Sequence, residues 1–203
     1  MKIGPKYKIA RRLGAPVFEK TQSPKFTVSQ ARKEKTGKSF SRPKSEFGLQ
    51  LLEKQKARYT YCVLERQFAK YVKEALATKD KNGVGRLFSA LELRADNAAY
   101  RAGFASTRLA ARQMVGHGHL TVNGKRITIP SYRMSIGDVM AIRAGSVAKP
   151  LFSGLEERLA SLKQPAWIRF DTSKKEAQIV GEPKYEPADS MFDINAILEF
   201  YSR

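Results

Sequence analysis

Apolar residues recur at helical spacing through the middle of the chain and at alternate positions after it. Leu64, Phe68, Tyr71, Val72 and Ala75 fall at i, i+4, i+7, i+8 and i+11, which predicts a helix near residues 61–77 with one buried stripe. Upstream, Leu49 and Leu52 mark a face of a helix that starts near Ser45, with Glu53, Lys54 and Lys56 elsewhere on it. Residues 78–83 read as a polar turn. A third helix is predicted over 84–102, burying Leu87, Leu91, Ala95, Ala98 and Ala102, and Gly103 ends it. Arg94, Asn97 and Arg101 share another of its faces. Ser106 or Thr107 can cap the next helix, which places Arg108 and Arg112 one turn apart and turns Leu109, Ala111, Met114 and Val115 inward before Gly116.

The period then changes to two. Leu120 and Val122 alternate, Asn123-Gly124 supplies the positive φ angles of a type I′ turn, and Ile127 and Ile129 alternate on the return. Residues 139–142, 167–170 and 177–180 read as short strands, and Leu155, Leu159 and Leu162 as a helix between them. After a Pro-containing connector at 182–189, Ser190 is expected to start a last helix, with Asp193 as its capping-box-like partner and Ile194, Ile197, Leu198 and Tyr201 on one face.

Charge changes the picture most. Lys plus Arg number 38 against 19 Asp plus Glu, a net charge of +19. So much like charge opposes compaction and calls for a polyanionic partner, nucleic acid before a membrane surface. The excess is uneven: net +12 over residues 1–60, +3 over 61–90, +6 over 91–150 and −2 over 151–203. The partner is therefore expected along the first three quarters, with the last quarter facing something else. Residues 1–43 are basic and broken by Gly and Pro, and alone in water they are expected to be only partly ordered. Gly4, Pro5, Gly14 and Pro16 read as spoiling an amphipathic helix there. The single cysteine, Cys62, fits a reducing compartment. The start of the chain has no run of signal-peptide length, so a soluble intracellular protein is expected.

Catalytic and metal chemistry find little support. His117 and His119 are the two histidines, and with Cys62 far away they fall short of a zinc ligand set. Gly37-Lys38-Ser39 resembles the end of a phosphate loop, but Arg32 stands where the loop needs glycine. Gly83-Val84-Gly85 continues to Phe88, so the dinucleotide fingerprint also fails. No enzyme, cofactor, metal or small-molecule substrate is expected. The arginines of 91–150 outnumber its lysines seven to two, and the planar guanidinium fork suits phosphate contact.

RADNAAYRAGFASTRLAARQMVGHGHLTVNGKRITIPSY at 94–132 resembles the RNA-binding domain of the small-subunit ribosomal protein S4 family. GPKYKIARRLG at 4–14, SEFGLQLLEKQKARYTYCVLERQFAKYVKEA at 45–75 and DINAILEFYSR at 193–203 resemble that family too, in its bacterial form. The resemblance implies an α+β fold: a helical N-terminal domain completed by the C-terminal helix, and an inserted RNA-binding domain of two helices on a short antiparallel sheet. The expected divisions are a basic arm at 1–43, a helical domain at 44–90 joined by 190–203, the RNA-binding domain at 91–155, and a helix, strands and connector at 156–189.

By resemblance, the protein would bind the five-prime domain of small-subunit ribosomal RNA early in assembly. It would adjoin ribosomal proteins S5 and S3, line the messenger's path into the subunit and support decoding accuracy, in a cytoplasmic ribosome before an organellar one. Lys6, Lys8, Arg11, Arg12, Lys54, Lys56, Arg58, Arg94, Arg101, Arg108, Arg112 and His117 match basic or polar motif positions and are expected to meet RNA. Arg101, Arg108 and Arg112 are the expected phosphate contacts, Thr107 a cap and Asn123-Gly124 a turn. Arg42 and Lys44, in a stretch that matches poorly, are placed near messenger RNA. Some members carry a zinc cysteine cluster in the arm; this chain has no cysteine before Cys62, so zinc is not carried over. Two alternatives share the small domain: a free RNA-binding stress protein, and an RNA-modifying enzyme, whose catalytic wording Arg94-Ala95-Asp96 partly matches.

Overall fold

The computed structural model describes residues 3–35, 45–77, 82–162 and 164–202. The chain divides into two compact units, one of Met1–Leu87 with Tyr185–Arg203, the other of Phe88–Lys184.

In the first unit, α1 (Lys6–Leu13) follows Pro5 and stops at Gly14, which takes φ +67°. Pro5 and Gly14 thus bound a helix instead of preventing one, because proline is tolerated before the first turn and glycine accepts the left-handed cap. Leu13, Ala15, Val17 and Phe18 bury together behind it, so this part of the arm is packed, and α2 (Pro24–Lys35) follows. The Ser45 hydroxyl accepts the Gly48 N–H at 3.2 Å and opens α3 (Glu46–Thr60). α4 (Glu65–Ala77) buries Phe68, Val72 and Ala75. It begins later than the periodicity predicts: Cys62, at φ +53°, turns the chain between the helices, and Leu64 is left exposed. Of the predicted polar turn, residues 78–81 lie outside the described residues.

α9 (Ile194–Ser202) packs on α3 and α4 and completes the helical unit as expected. Ser190 does not start it: the Ser190 hydroxyl donates to the Phe192 carbonyl at 2.8 Å, and the Asp193 carboxylate accepts the Asn195 N–H at 2.8 Å instead. Where the three helices meet, Lys54 Nζ lies 2.8 Å from Glu65 Oε1, and the Tyr201 hydroxyl donates to the same oxygen at 2.7 Å. Burial alone pushes the Glu65 carboxyl up, but the hydrogen bonds from Lys54 and Tyr201 and the charges of Lys54 and Arg58 outweigh it and hold Glu65 below its ordinary value near 4.5. A depressed carboxylate stabilises the fold above its unfolded pKa and loses that contribution as pH falls through the folded one. Glu65→Gln should therefore lower the melting temperature at pH 7, with the gap to wild type narrowing at pH 3. An equal gap at both pH values would show that the ionised carboxylate contributes nothing.

The second unit contains α6 (Ala95–Arg101) and α7 (Arg108–Gly116), and its boundary falls within α5 (Gly83–Glu92). The single helix predicted over 84–102 is thus two helices. Arg94 takes extended backbone at φ −65°, ψ 138°. That break lets Met134 N–H donate to the Leu93 carbonyl and Ala95 N–H to the Tyr132 carbonyl, both at 2.8 Å. Two long-range backbone bonds replace the intrahelical ones, which periodicity cannot anticipate.

β1 (Leu120–Val122), β2 (Lys125–Arg126), β3 (Val139–Ile142), β4 (Ile168–Asp171) and β5 (Glu176–Ile179) form one antiparallel sheet in the order β2-β1-β3-β5-β4. Asn123 and Gly124 take φ +49° and +75°, the predicted type I′ geometry. Asn123 also accepts the Val139 N–H at 2.9 Å and donates to Asp138 at 2.7 Å, which ties the hairpin to β3. β2 stops at Arg126: Ile127 is buried, but Ile129 lies beyond the strand and is exposed. Because β5 pairs with β3 through Val139–Gln178 and Met140–Ala177, the strands of 156–189 belong to the same unit as 91–155 and not to a separate segment. Ala98, Ala102, Ala111, Met114 and Val115 from the helices meet Leu120, Val122, Met140, Ala177 and Ile179 from the sheet in one core. Gly103, at φ +89°, lets α8 (Leu155–Ser161) approach, since a Cβ there would meet Leu159 and Leu162 at 3.0 Å. No described helix is long and apolar enough to cross a membrane.

Candidate nucleic-acid interface

α6 and α7 carry an arginine cluster built on buried carboxylates. Glu92, at the end of α5, has a fully buried side chain, and Arg101 Nε and Nη2 each donate to it at 2.8 Å. Asn97 donates to the same carboxylate at 3.0 Å, and its own side-chain oxygen accepts from Arg108 Nε at 2.8 Å. The Arg108 guanidinium also stacks over the Tyr100 ring, 4.4 Å from its centroid. Asp96 is the second anchor. Its carboxylate accepts Arg94 at 2.6 and 3.0 Å and Arg112 Nη1 at 3.2 Å.

The physical logic is charge compensation with a surplus. Two carboxylates sit among four arginines, so the cluster keeps a positive excess while each guanidinium is held in one orientation. Arg101 and Arg112 remain about a third exposed, at 36% and 30%. Arg108 is half-buried. A preoriented planar fork forfeits little side-chain entropy on meeting a phosphate, which an unsupported surface arginine would have to give up. Thr107 caps α7, its hydroxyl accepting the Ala110 N–H at 3.1 Å, which satisfies one of the helix's N-terminal donors.

Arg94 corrects the expectation that it meets RNA. It is 2% exposed and bonded to Asp96, because the break before α6 takes it off the Asn97–Arg101 face and into the interior. Lys54 is likewise enclosed: it is 7% exposed, paired with Glu65, with its ammonium over the Phe200 and Tyr201 rings at 4.6 and 5.6 Å. Lys56 pairs with Glu53 at 2.6 Å, and Arg58 is held by Gln55 at 3.0 Å and the Tyr59 ring at 4.6 Å. These two are half-buried, so the basic run of α3 serves packing first.

In α1, Lys8, Arg11 and Arg12 are exposed, while Lys6 leans over the Phe18 ring at 5.8 Å. His117 is exposed at the far end of α7 from Thr107, outside the carboxylate network. Arg42 and Lys44 lie outside the described residues.

Sequence reasoning passed over three features. Glu92 drew no reading, and Asp96 read only as part of the Arg94-Ala95-Asp96 wording, not as an anchor; the signal was two carboxylates within an arginine-rich stretch. Tyr100 read as a motif position without its role under Arg108. Arg126, exposed on β2, donates to the His117 carbonyl at 3.3 Å and joins Arg143 and Lys149 around His119. Burial, then the charges of Lys149, His117, Arg143 and Arg126, hold His119 below its ordinary value. The His119 ring lies 3.0 Å from the Ser146 hydroxyl.

Residues 1–92 match the family described as "Ribosomal protein S4/S9 N-terminal domain", and residues 93–140 match "S4 domain". The chain is 42% identical over 203 residues to the small ribosomal subunit protein uS4 of Roseiflexus castenholzii, covering 99% of this chain and 98% of that protein. It is 38% identical to the uS4 of Chloroflexus aurantiacus and 39% identical to that of Acinetobacter baumannii, each over 99% of this chain and 98% of the relative.

Proposed function

Since this chain belongs to the small ribosomal subunit protein uS4 family, we propose that it is a structural constituent of that subunit that binds the five-prime domain of its ribosomal RNA and helps nucleate assembly. The observation that carries the reading is the Arg101–Arg108–Arg112 cluster, oriented by buried Glu92, Asn97 and Asp96. The guanidiniums meet backbone phosphates, which positions the protein by RNA shape and charge more than by base identity. Lys8, Arg11 and Arg12 extend the contact from the arm. Arg42 and Lys44 keep their proposed place near the messenger's path, beside protein S3. The net charge of −2 over residues 151–203 supports a protein-facing end, with S5 as the neighbour through which decoding accuracy is affected. A cytoplasmic ribosome is the proposed location.

The protein is a ribosomal protein and not an enzyme: its relatives carry that name along 98% of their own length, which the two alternative readings would require to be coincidence. The test is binding to the five-prime-domain RNA with magnesium, moderate salt and excess transfer RNA as competitor. Binding that resists the competitor is expected. Binding no tighter than to transfer RNA would reduce the protein to a general cationic RNA binder.

A further inference from the structure

A cleft of about 320 Å³ opens between α1 and α2, lined by Tyr7, Arg11, Ser23, Lys25, Phe26 and Ser29. Its walls follow from helix spacing: Tyr7 and Arg11 lie one turn apart on α1, and Phe26 and Ser29 one turn apart on α2. Phe26 is buried and backs the Tyr7 ring, with centroids 5.9 Å apart and planes tilted by 37°. Tyr7 nevertheless stays 47% exposed. An aromatic ring fixed on one side and open on the other is a stacking platform, and Arg11 and Lys25 at its margin are exposed cations. Ser23 donates to the Lys20 carbonyl at 3.5 Å, which leaves its oxygen lone pairs to accept from a base amino group or a ribose hydroxyl.

We propose that this cleft takes one extruded nucleotide of the bound RNA, stacking its base on Tyr7 and holding its phosphate between Arg11 and Lys25. The inference rests on the RNA-binding reading above and assigns a distinct site within it. Stacking on an exposed ring tolerates any base, so the cleft selects an unpaired nucleotide at that point of the RNA and not a particular sequence. It also explains why the arm needs a packed helix pair: a wholly flexible arm would bring the cations but not the fixed ring.

Two measurements test it on the full chain and the five-prime-domain RNA. Ultraviolet irradiation of the complex, followed by nuclease, cleavage after glutamate and mass spectrometry, is expected to give a nucleotide adduct on Tyr7. Adducts confined to peptides lacking both Tyr7 and Phe26 would overturn the proposal, and this readout needs no variant. Tyr7→Leu keeps an apolar body against Phe26 without the ring, and should weaken binding about tenfold with an unchanged salt slope. Tyr7→Phe should bind as wild type, and Arg11→Ala should lower the slope by about one. Affinity of Tyr7→Leu within twofold of wild type would sink the cleft site alone. Failure of the wild-type chain to prefer this RNA over transfer RNA would remove the broader reading with it.

Discussion

Asp96→Ala should destabilise the unit of residues 88–184 by about 3–5 kcal/mol, the cost of leaving a buried charge without its partner. Asp96 holds Arg94 at 2.6 Å, and Arg94 is 2% exposed, so water cannot replace that carboxylate. The same carboxylate accepts the Asn97 N–H at 2.9 Å and Arg112 at 3.2 Å, so its removal disturbs the start of α6 as well. A loss of this size is a large share of the 5–15 kcal/mol typical of a domain. Asp96→Asn, which keeps the shape and an acceptor but removes the charge, should cost less. The chain's one tryptophan, Trp167, is buried in the core of this unit, so its fluorescence during urea unfolding reports this unit and not the other. A change below about 1 kcal/mol in Asp96→Ala would mean that Arg94 finds other compensation, and the carboxylate frame would no longer account for the arginine geometry.

The second large effect is on RNA affinity. If about 6–10 phosphates are neutralised, affinity should fall roughly 10³–10⁵-fold between about 50 and 200 mM salt, on the calibration for duplex DNA. Arg108→Ala and Arg112→Ala should each reduce the slope by about one unit while leaving the fold intact. These two are the informative positions. Arg101→Ala would remove two charged hydrogen bonds from the fully buried Glu92 and confuse lost binding with lost stability. Arg112 can be removed more safely, because Asp96 keeps Arg94 as its partner. Slopes unchanged in both variants would take this face out of the interface and leave the α1 cations as the main electrostatic contact.

The two arginines that the sequence placed best, Arg108 and Arg112, lie on a continuous helix whose phase is set by its own spacing. The one it placed worst, Arg94, was phased through a helix that the structure breaks. Lys54 failed for a related reason. Within its own segment it sits among polar residues and looks solvated, yet α9, about 140 residues later, brings Phe200 and Tyr201 over it, and α4 brings Glu65.

What the sequence determined by itself was everything encoded within a turn or two of chain: the apolar stripes of α4 and α7, the Asn123-Gly124 hairpin, the Thr107 cap, the cationic excess, and the motif wording that implied the family. Only the tertiary structure decided which charged groups are buried and which are presented. Burying Glu92, Asp96, Arg94 or Lys54 is tolerable only when a partner of opposite charge arrives at hydrogen-bonding distance, and those partners include α4 for Lys54 and α6 and α7 for Glu92 and Asp96. The same holds for the backbone at Leu93–Ala95, which leaves the helix because residues 132–134 supply its hydrogen bonds. Local spacing fixes which side of an element faces inward; it carries no record of which distant group will compensate a charge once it is there.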